Sequence, residues 1–513
     1  MIEASVRMYS RPPAFLDVQS CRGWLAGLAA EHPARHPARL LAEVNLLNGQ
    51  PLTAPDRLSI LEMLREPAHR ASAAAARRFA WRGLPLAASE QAAFEANVAL
   101  ARSLARGYAM CLEARAPDDA SGMQEAALAA QRSLATLAWE QYDGIRVGMD
   151  PPPAFWRALH HLYSAAEAVG VAGTELADPL FDVPSVSPAA VYVQVLLLHL
   201  ADARELDPAE LESARSHLAR WSRHLPLSVW PPPDFRIPPV AVDCSGGEPP
   251  SQVPPQGGRL RYVDITQLAA KLKRRLQPRA GVPEPEQALW RHLYERCCKG
   301  ALVRFEPRGD AHAECRLVAG LEAAHYYLSG RKPFREPADA ASLARWEVEK
   351  IATLRMMAPR VEEGFSRSRG FRVETWSLVR DCGAETTVSR APGEDGRLAR
   401  AQLVAFKRPP DEGYALGCVR WVRLDARGGL CACVRLIPGV PRPVAIRVAG
   451  RGPSQWRPGF SLAGERGASL VGPRGAFCPG DVIDVLDNGR RSAKLLAFLE
   501  RGMDFERASC ESP

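Results

Sequence analysis

A run of prolines divides this chain. Trp230-Pro231-Pro232-Pro233 opens a stretch, continuing to Gly258, that is rich in Pro and Gly and has no periodic apolar residues. Proline lacks a backbone donor and clashes with the preceding helical turn, so neither a helix interior nor a central strand can cross such a segment. Residues 231–258 therefore read as a linker or long surface loop. The chain's 513 residues exceed what one core can hold, and roughly two to four domains are expected.

Before the break, helix follows helix. Phe94, Val98, Ala101, Ala105, Tyr108 and Leu112 fall four and three apart, which places them on one stripe that must pack against a neighbour. Phe155, Leu159, Leu162, Ala166 and Val169 repeat the pattern, from Pro151–Pro153 to Gly170. Ser187-Pro188 and Asp207-Pro208 supply a capping side chain followed by a proline suited to the first helical position. Pro51-Leu52 and Pro85-Leu86 stand 34 residues apart, each leading into an amphipathic helix. That period resembles stacked helix pairs of the tetratricopeptide kind. Residues 1–230 thus read as an all-α bundle or short solenoid offering a surface to a protein partner, and plain core packing explains the pattern equally well.

Beyond the break, Asp264 and Gln267 suggest a capping box, and Ile265, Leu268, Leu272 and Leu276 one helical face. A second helix is expected over Glu286–Cys297, and a strand over Cys315–Leu321 running into a helical turn at Ala323–Leu328. Residues 259–365 are read as a mixed α/β connecting region. From Phe371 the texture is β: Phe371–Val379, Gln402–Phe406, Leu416–Val422, Leu430–Leu436 and Val444–Val448, with Gly428-Gly429 between the third and fourth. A last hairpin is expected around Asp487-Asn488-Gly489. Short strands at such spacing predict a small antiparallel barrel in residues 366–513, with a C-terminal extension. The fold class is α+β and multidomain.

The formal charge of +8 comes mostly from Arg, whose planar fork suits phosphate or carboxylate. A GC-rich genome would give the same Ala, Arg and Pro bias. Twelve scattered cysteines, without paired knuckles, predict no metal site. The N-terminus lacks a secretory pattern. The longest apolar run, Ala189–Ala201, is shorter than a bilayer span, so no transmembrane segment and a cytoplasmic location are expected.

Catalytic signatures fail. There is no Gly-rich loop ending in Gly-Lys-Ser or Gly-Lys-Thr, and no His-Glu-x-x-His. His312-Ala313-Glu314 lacks the Pro-Cys-x-x-Cys half of a deaminase site. Gly459-Phe460-Ser461 lacks the closing Gly of a nucleophile elbow. His160 and His161, adjacent on a helix, point in different directions. The chain is read as regulatory and not as an enzyme, with no cofactor.

Leu416-Gly417-Cys418-Val419-Arg420-Trp421-Val422, then Gly428-Gly429, then Cys431-Ala432-Cys433-Val434-Arg435-Leu436, resembles the closing hairpin of a PilZ domain. The strand-to-helix segment at Cys315–Leu328 and the tail Leu496–Phe505 resemble parts of larger, atypical PilZ-containing proteins of proteobacteria. The resemblance implies a small β-barrel and cyclic di-GMP as ligand, held by an Arg-x-x-x-Arg stretch and an Asp/Asn-x-Ser-x-x-Gly turn. Guanidinium forks would hold phosphates and stack on guanine, and a small turn would let the ligand approach backbone. The corresponding turn reads Arg380-Asp381-Cys382-Gly383-Ala384-Glu385, with Cys382 in the place of Ser. Arg367, Arg369 and Arg372 lie upstream without the family spacing, whereas Arg331-Lys332-Pro333-Phe334-Arg335 has it. The candidate ligand residues are Arg331, Arg335, Arg367, Arg369, Arg372, Arg380, Asp381 and Cys382.

Two further readings stay open. One is a structural adaptor in which a degenerate barrel binds protein and no small molecule. The other, a nucleic-acid binder, draws on the Arg excess and the basic run Lys271–Arg275. It lacks the interleaved aromatic platform that single strands require, so nucleic acid is not the expected partner.

Overall fold

The computed structural model describes residues 11–511 apart from 115–119, 182, 234–235, 278–283, 300–312, 338–369, 394–395, 410, 412, 426, 450–454, 465–466 and 488. The chain forms two compact units: residues 1–80 with 86–305, and residues 81–85 with 306–513.

The first unit is helical. Its helices are α1 (Val18–Ala29), α2 (His36–Asn48), α3 (Ala54–Ala76), α4 (Ala88–Glu113), α5 (Ala120–Arg146), α6 (Pro153–Ala168), α7 (Pro188–Leu200), α8 (Pro208–Ser222), α9 (Thr266–Leu276) and α10 (Glu284–Cys298). The capping signals act as expected. Ser187 Oγ accepts from the Ala190 amide, and Asp207 and Glu210 close a capping box at the start of α8. At α9 the expected box does not form: the N-cap is Ile265, and Asp264 accepts from the Thr266 amide instead of that of Gln267. Every residue of α7 except Ala189 is buried, so the apolar run is a core helix. No described helix is long and apolar enough to cross a membrane.

Among the described residues, five short strands accompany the helices. β1 (Leu176–Ala177) pairs with β2 (Ser185–Val186), and β5 (Leu260–Val263) lies between β3 (Leu227–Ser228) and β4 (Val240–Asp243). The Pro/Gly-rich stretch thus contributes a strand, Val240–Asp243, whose first three residues are buried. Its backbone groups pair with β5 because burial would otherwise leave them without partners.

The second unit holds two closed barrels of six antiparallel strands each, where the sequence indicated one. The first consists of β6 (Glu314–Ala319), β7 (Glu374–Asp381), β8 (Glu385–Arg390), β9 (Leu403–Lys407), β10 (Ala415–Leu424) and β11 (Leu430–Leu436), closed in the order β10-β11-β8-β7-β6-β9. The second consists of β12 (Val440–Val448), β13 (Arg457–Gly464), β14 (Gly467–Pro473), β15 (Val482–Leu486), β16 (Arg490–Arg501) and β17 (Phe505–Glu511), closed in the order β12-β13-β14-β17-β16-β15. Closure leaves no free sheet edge.

The hairpin that resembles PilZ is β10–β11, with Gly417 opposite Leu436 and Leu424 opposite Leu430. Gly417 is required by close approach: a Cβ there would lie 2.5 Å from Val434 Cγ1. Helix α11 (Leu321–Leu328) packs between the barrels, and Leu321, Leu403, Leu416, Phe460, Leu462 and Phe505 share one core cluster. Asp504, in the β16–β17 turn, accepts from the Leu321 amide at 3.1 Å and the Leu403 amide at 2.9 Å.

Candidate functional site

Arg331 lies just beyond α11. It holds a left-handed φ of 62°, and its amide donates to the Tyr326 carbonyl. Its exposed guanidinium acts on the half-buried Tyr327 and Tyr414. Burial pushes both phenols up, and the arginine charge pulls them back, with Arg316 adding to the effect at Tyr414. Tyr327 Oη donates to the Phe371 carbonyl at 3.4 Å, and the Phe371 ring lies 5.7 Å from that of Tyr326. Exposed Arg372 follows Phe371 in the chain. This edge of the first barrel therefore combines guanidinium groups with aromatic faces, a chemistry suited to phosphate and to a stacked base.

The other candidate residues lie elsewhere. Arg380, Asp381 and Cys382 are exposed at the β7–β8 turn. Arg372 and Asp381 flank the length of β7, on the order of 25 Å apart at the usual strand rise. Asp381 is engaged by the turn itself, accepting from the Gly383 amide at 2.9 Å and from Arg408 Nη1 at 3.1 Å. Arg335 is exposed between two residues with partners of their own. Phe334 meets the His325 ring edge-on, and Glu336 accepts from the Trp456 amide. The Arg-x-x-x-Arg spacing thus splits its two arginines between different surroundings. Arg367 and Arg369 lie outside the described residues.

His160, His161 and Ser461, the described polar groups of the motifs weighed above, have other partners. His160 Nε2 lies 3.0 Å from the Glu248 carbonyl and Nδ1 2.7 Å from Tyr192 Oη. A carbonyl only accepts, so Nε2 carries the proton and Nδ1 accepts from the tyrosine. Burial holds the imidazole below its usual pKa and so neutral. Its neighbour His161 is exposed beside Glu113. Gly459-Phe460-Ser461 lies inside β13, not at a strand-to-helix turn, and Ser461 Oγ accepts from Arg491. Among the described residues no cluster of three or more His, Cys, Asp or Glu could hold a metal.

The helical unit contains a cavity of about 390 Å³ walled by α3, α5, α7, α8 and the 179–181 loop. Trp139, Tyr142 and Arg146 line it from α5, Gln194 from α7 and Arg215 from α8. The guanidinium groups of Arg146 and Arg215 lie over the Tyr142 ring, 4.5 and 5.5 Å from its centre. Burial, with Glu212 accepting its hydroxyl, pushes the Tyr142 phenol up to about 12. None of these residues was a sequence candidate. The signal that could have found them is the spacing of Trp139, Tyr142 and Arg146, three and four apart on one helical face.

Residues 19–234 match the family model described as "Cyclic-di-GMP receptor FimW, N-terminal domain". Over 487 residues the chain is 23% identical to a Pseudomonas aeruginosa protein described as "Cyclic-di-GMP receptor FimW", covering 83% of this chain and 78% of that protein. No solved structure matches.

Proposed function

We propose that this chain is a FimW-like regulatory protein that binds cyclic di-GMP and passes the signal to a protein partner through its helical half. The observation that carries the reading is the similarity to a receptor of that nucleotide. It spans 83% of the chain, more than the helical unit, which ends at Phe305. The guanidinium and tyrosine edge of the first barrel supports it: Arg331 and Arg372 would meet phosphate, and Tyr327 or Tyr414 a base. In this reading the protein acts in the cytoplasm, where the nucleotide is made, and performs no catalysis.

Calorimetric titration of the full chain with cyclic di-GMP tests the barrel edge. The reading expects saturable binding that weakens in Arg331→Ala and Arg372→Ala. A second reading, an adaptor without a small ligand, is favoured by two observations: Asp381 is already occupied by Arg408, and Cys382 stands in the place of the expected serine. Absence of heat in the wild-type titration would select the adaptor.

A further inference from the structure

We propose that the helical unit carries a guanine-recognising nucleotide pocket of its own, separate from the barrel edge. The inference rests on the receptor reading and adds a second binding site to it. The cavity's volume, about 390 Å³, lies in the range of small-molecule sites, ~300–1,000 Å³.

Two buried amides define what the pocket wants. Gln141 is 2% exposed and Gln194 4%. Gln141 Nε2 donates to the Val195 carbonyl at 2.9 Å, and Gln194 Nε2 to the Arg215 carbonyl at 3.3 Å. Because a carbonyl only accepts, each amide is fixed in orientation, nitrogen toward the backbone. Each Oε1 is buried with no hydrogen-bond partner, and both residues line the cavity. A buried acceptor without a donor is costly. Two of them in one cavity call for a ligand presenting N–H groups. The Watson–Crick edge of guanine offers N1–H beside the N2 amino group, two adjacent donors. Adenine offers only its N6 amino group on that edge.

The remaining walls fit the rest of a guanine nucleotide. Trp139, Tyr142 and Phe181 supply flat faces on which a base can stack. Arg146 is paired with Asp143, and Arg215 with Glu212 at 2.6 Å. A carboxylate engages at most two of the five guanidinium N–H groups of Arg146, so that residue keeps donors for a phosphodiester. Arg146 Nε is buried with no partner. The pocket lies within the segment matching the family model, residues 19–234.

Equilibrium dialysis of the full chain against labelled cyclic di-GMP tests this, with unlabelled cyclic di-AMP as competitor. Placed in the Arg331→Ala/Arg372→Ala background, Trp139→Leu and Arg215→Ala should each weaken binding at least tenfold while keeping that background's melting temperature. The double variant Arg331→Ala/Arg372→Ala should retain the pocket's saturable binding, and cyclic di-AMP should not displace it. If either pocket variant melts early, Phe181→Leu takes its place with the same expectation. Pocket variants that bind like their background would overturn the inference alone, leaving water as the amides' partner. A wild-type chain that retains no cyclic di-GMP would overturn the receptor reading and the pocket with it.

Discussion

Arg65 and Asp178 meet as two parallel hydrogen bonds deep in the helical unit, Nη1 to Oδ1 at 2.7 Å and Nη2 to Oδ2 at 2.8 Å. Gln131 donates to the same carboxylate, and Arg132 joins it at 3.2 Å while also holding Glu62. The network ties α3 and α5 to the loop after β1, which continues into the cavity wall at Pro179–Phe181. A buried pair contributes little net stability when intact, but removing one partner strands the other. Asp178→Ala strands the buried Arg65 guanidinium, while Arg132 keeps Glu62. A loss of about 3–5 kcal/mol is expected from urea unfolding, and Arg65→Met combined with Asp178→Leu should recover much of it.

The same network sets an acid limit. Burial alone would push the Asp178 carboxyl up, but hydrogen bonds from Arg65, the charges of Arg65 and Arg132, and Gln131 outweigh it and leave it below its ordinary 3.8. A carboxyl lowered in the folded state contributes stability that is fully present above the unfolded pKa and lost as pH falls through the folded one. Wild type should therefore lose stability more steeply than Asp178→Asn as pH falls below about 4. Urea midpoints followed from pH 6 to pH 2.5 would show it, and parallel curves would refute it.

Gly417→Ala tests the β10–β11 hairpin. The added methyl would meet Val434 Cγ1 at 2.5 Å and the Arg435 carbonyl at 3.2 Å. Overpacking of this kind costs about 1–3 kcal/mol. Thermal unfolding should show the loss, and Val434→Ala in the same chain should relieve most of it.

Thiol chemistry reports on burial across both units. Cys382 and Cys478 are exposed and Cys510 is half-buried, whereas the other nine cysteines are buried. Burial pushes the Cys21, Cys111, Cys298 and Cys315 thiols up to about 12, leaving almost no thiolate at neutral pH. A native thiol titration should count two fast groups and one slow one, and Cys382→Ser with Cys478→Ser should remove the fast phase.

How far the sequence could be read follows from what each segment buries. Helix α4 was legible because its buried side is almost wholly apolar, with Phe94, Leu104, Tyr108 and Leu112 in one stripe. Helix α5 was not, because its buried side mixes Gln131, Arg132, Thr136, Glu140, Gln141 and Asp143 with alanines, and the apolar period disappears. That helix carries the Arg–Asp network and much of the cavity wall, so the residues that build the cavity were the hardest to see.

In the second unit the runs around Leu403, Leu416 and Leu430 came through as strands. Strands β13 and β14 did not, because Gly459 and Gly472 sit where chains approach closely. A Cβ at Gly459 would lie 2.6 Å from the Val471 carbonyl, and one at Gly472 2.6 Å from Ile446 Cδ1. Glycine at a close backbone approach reads in sequence as a turn, and a second barrel was hidden behind that ambiguity. The PilZ-like spacing at Arg331–Arg335 was legible as letters, but a motif carries no information about which edge of a barrel each side chain reaches.

Retention of radiolabelled cyclic di-GMP on a filter by the purified full chain tests the receptor role most directly, with unlabelled cyclic di-GMP and unlabelled GTP as separate chases. The expected result is saturable retention that unlabelled cyclic di-GMP removes and equimolar GTP leaves in place. Retention no greater than that of a protein-free filter, or equal displacement by GTP, would contradict it.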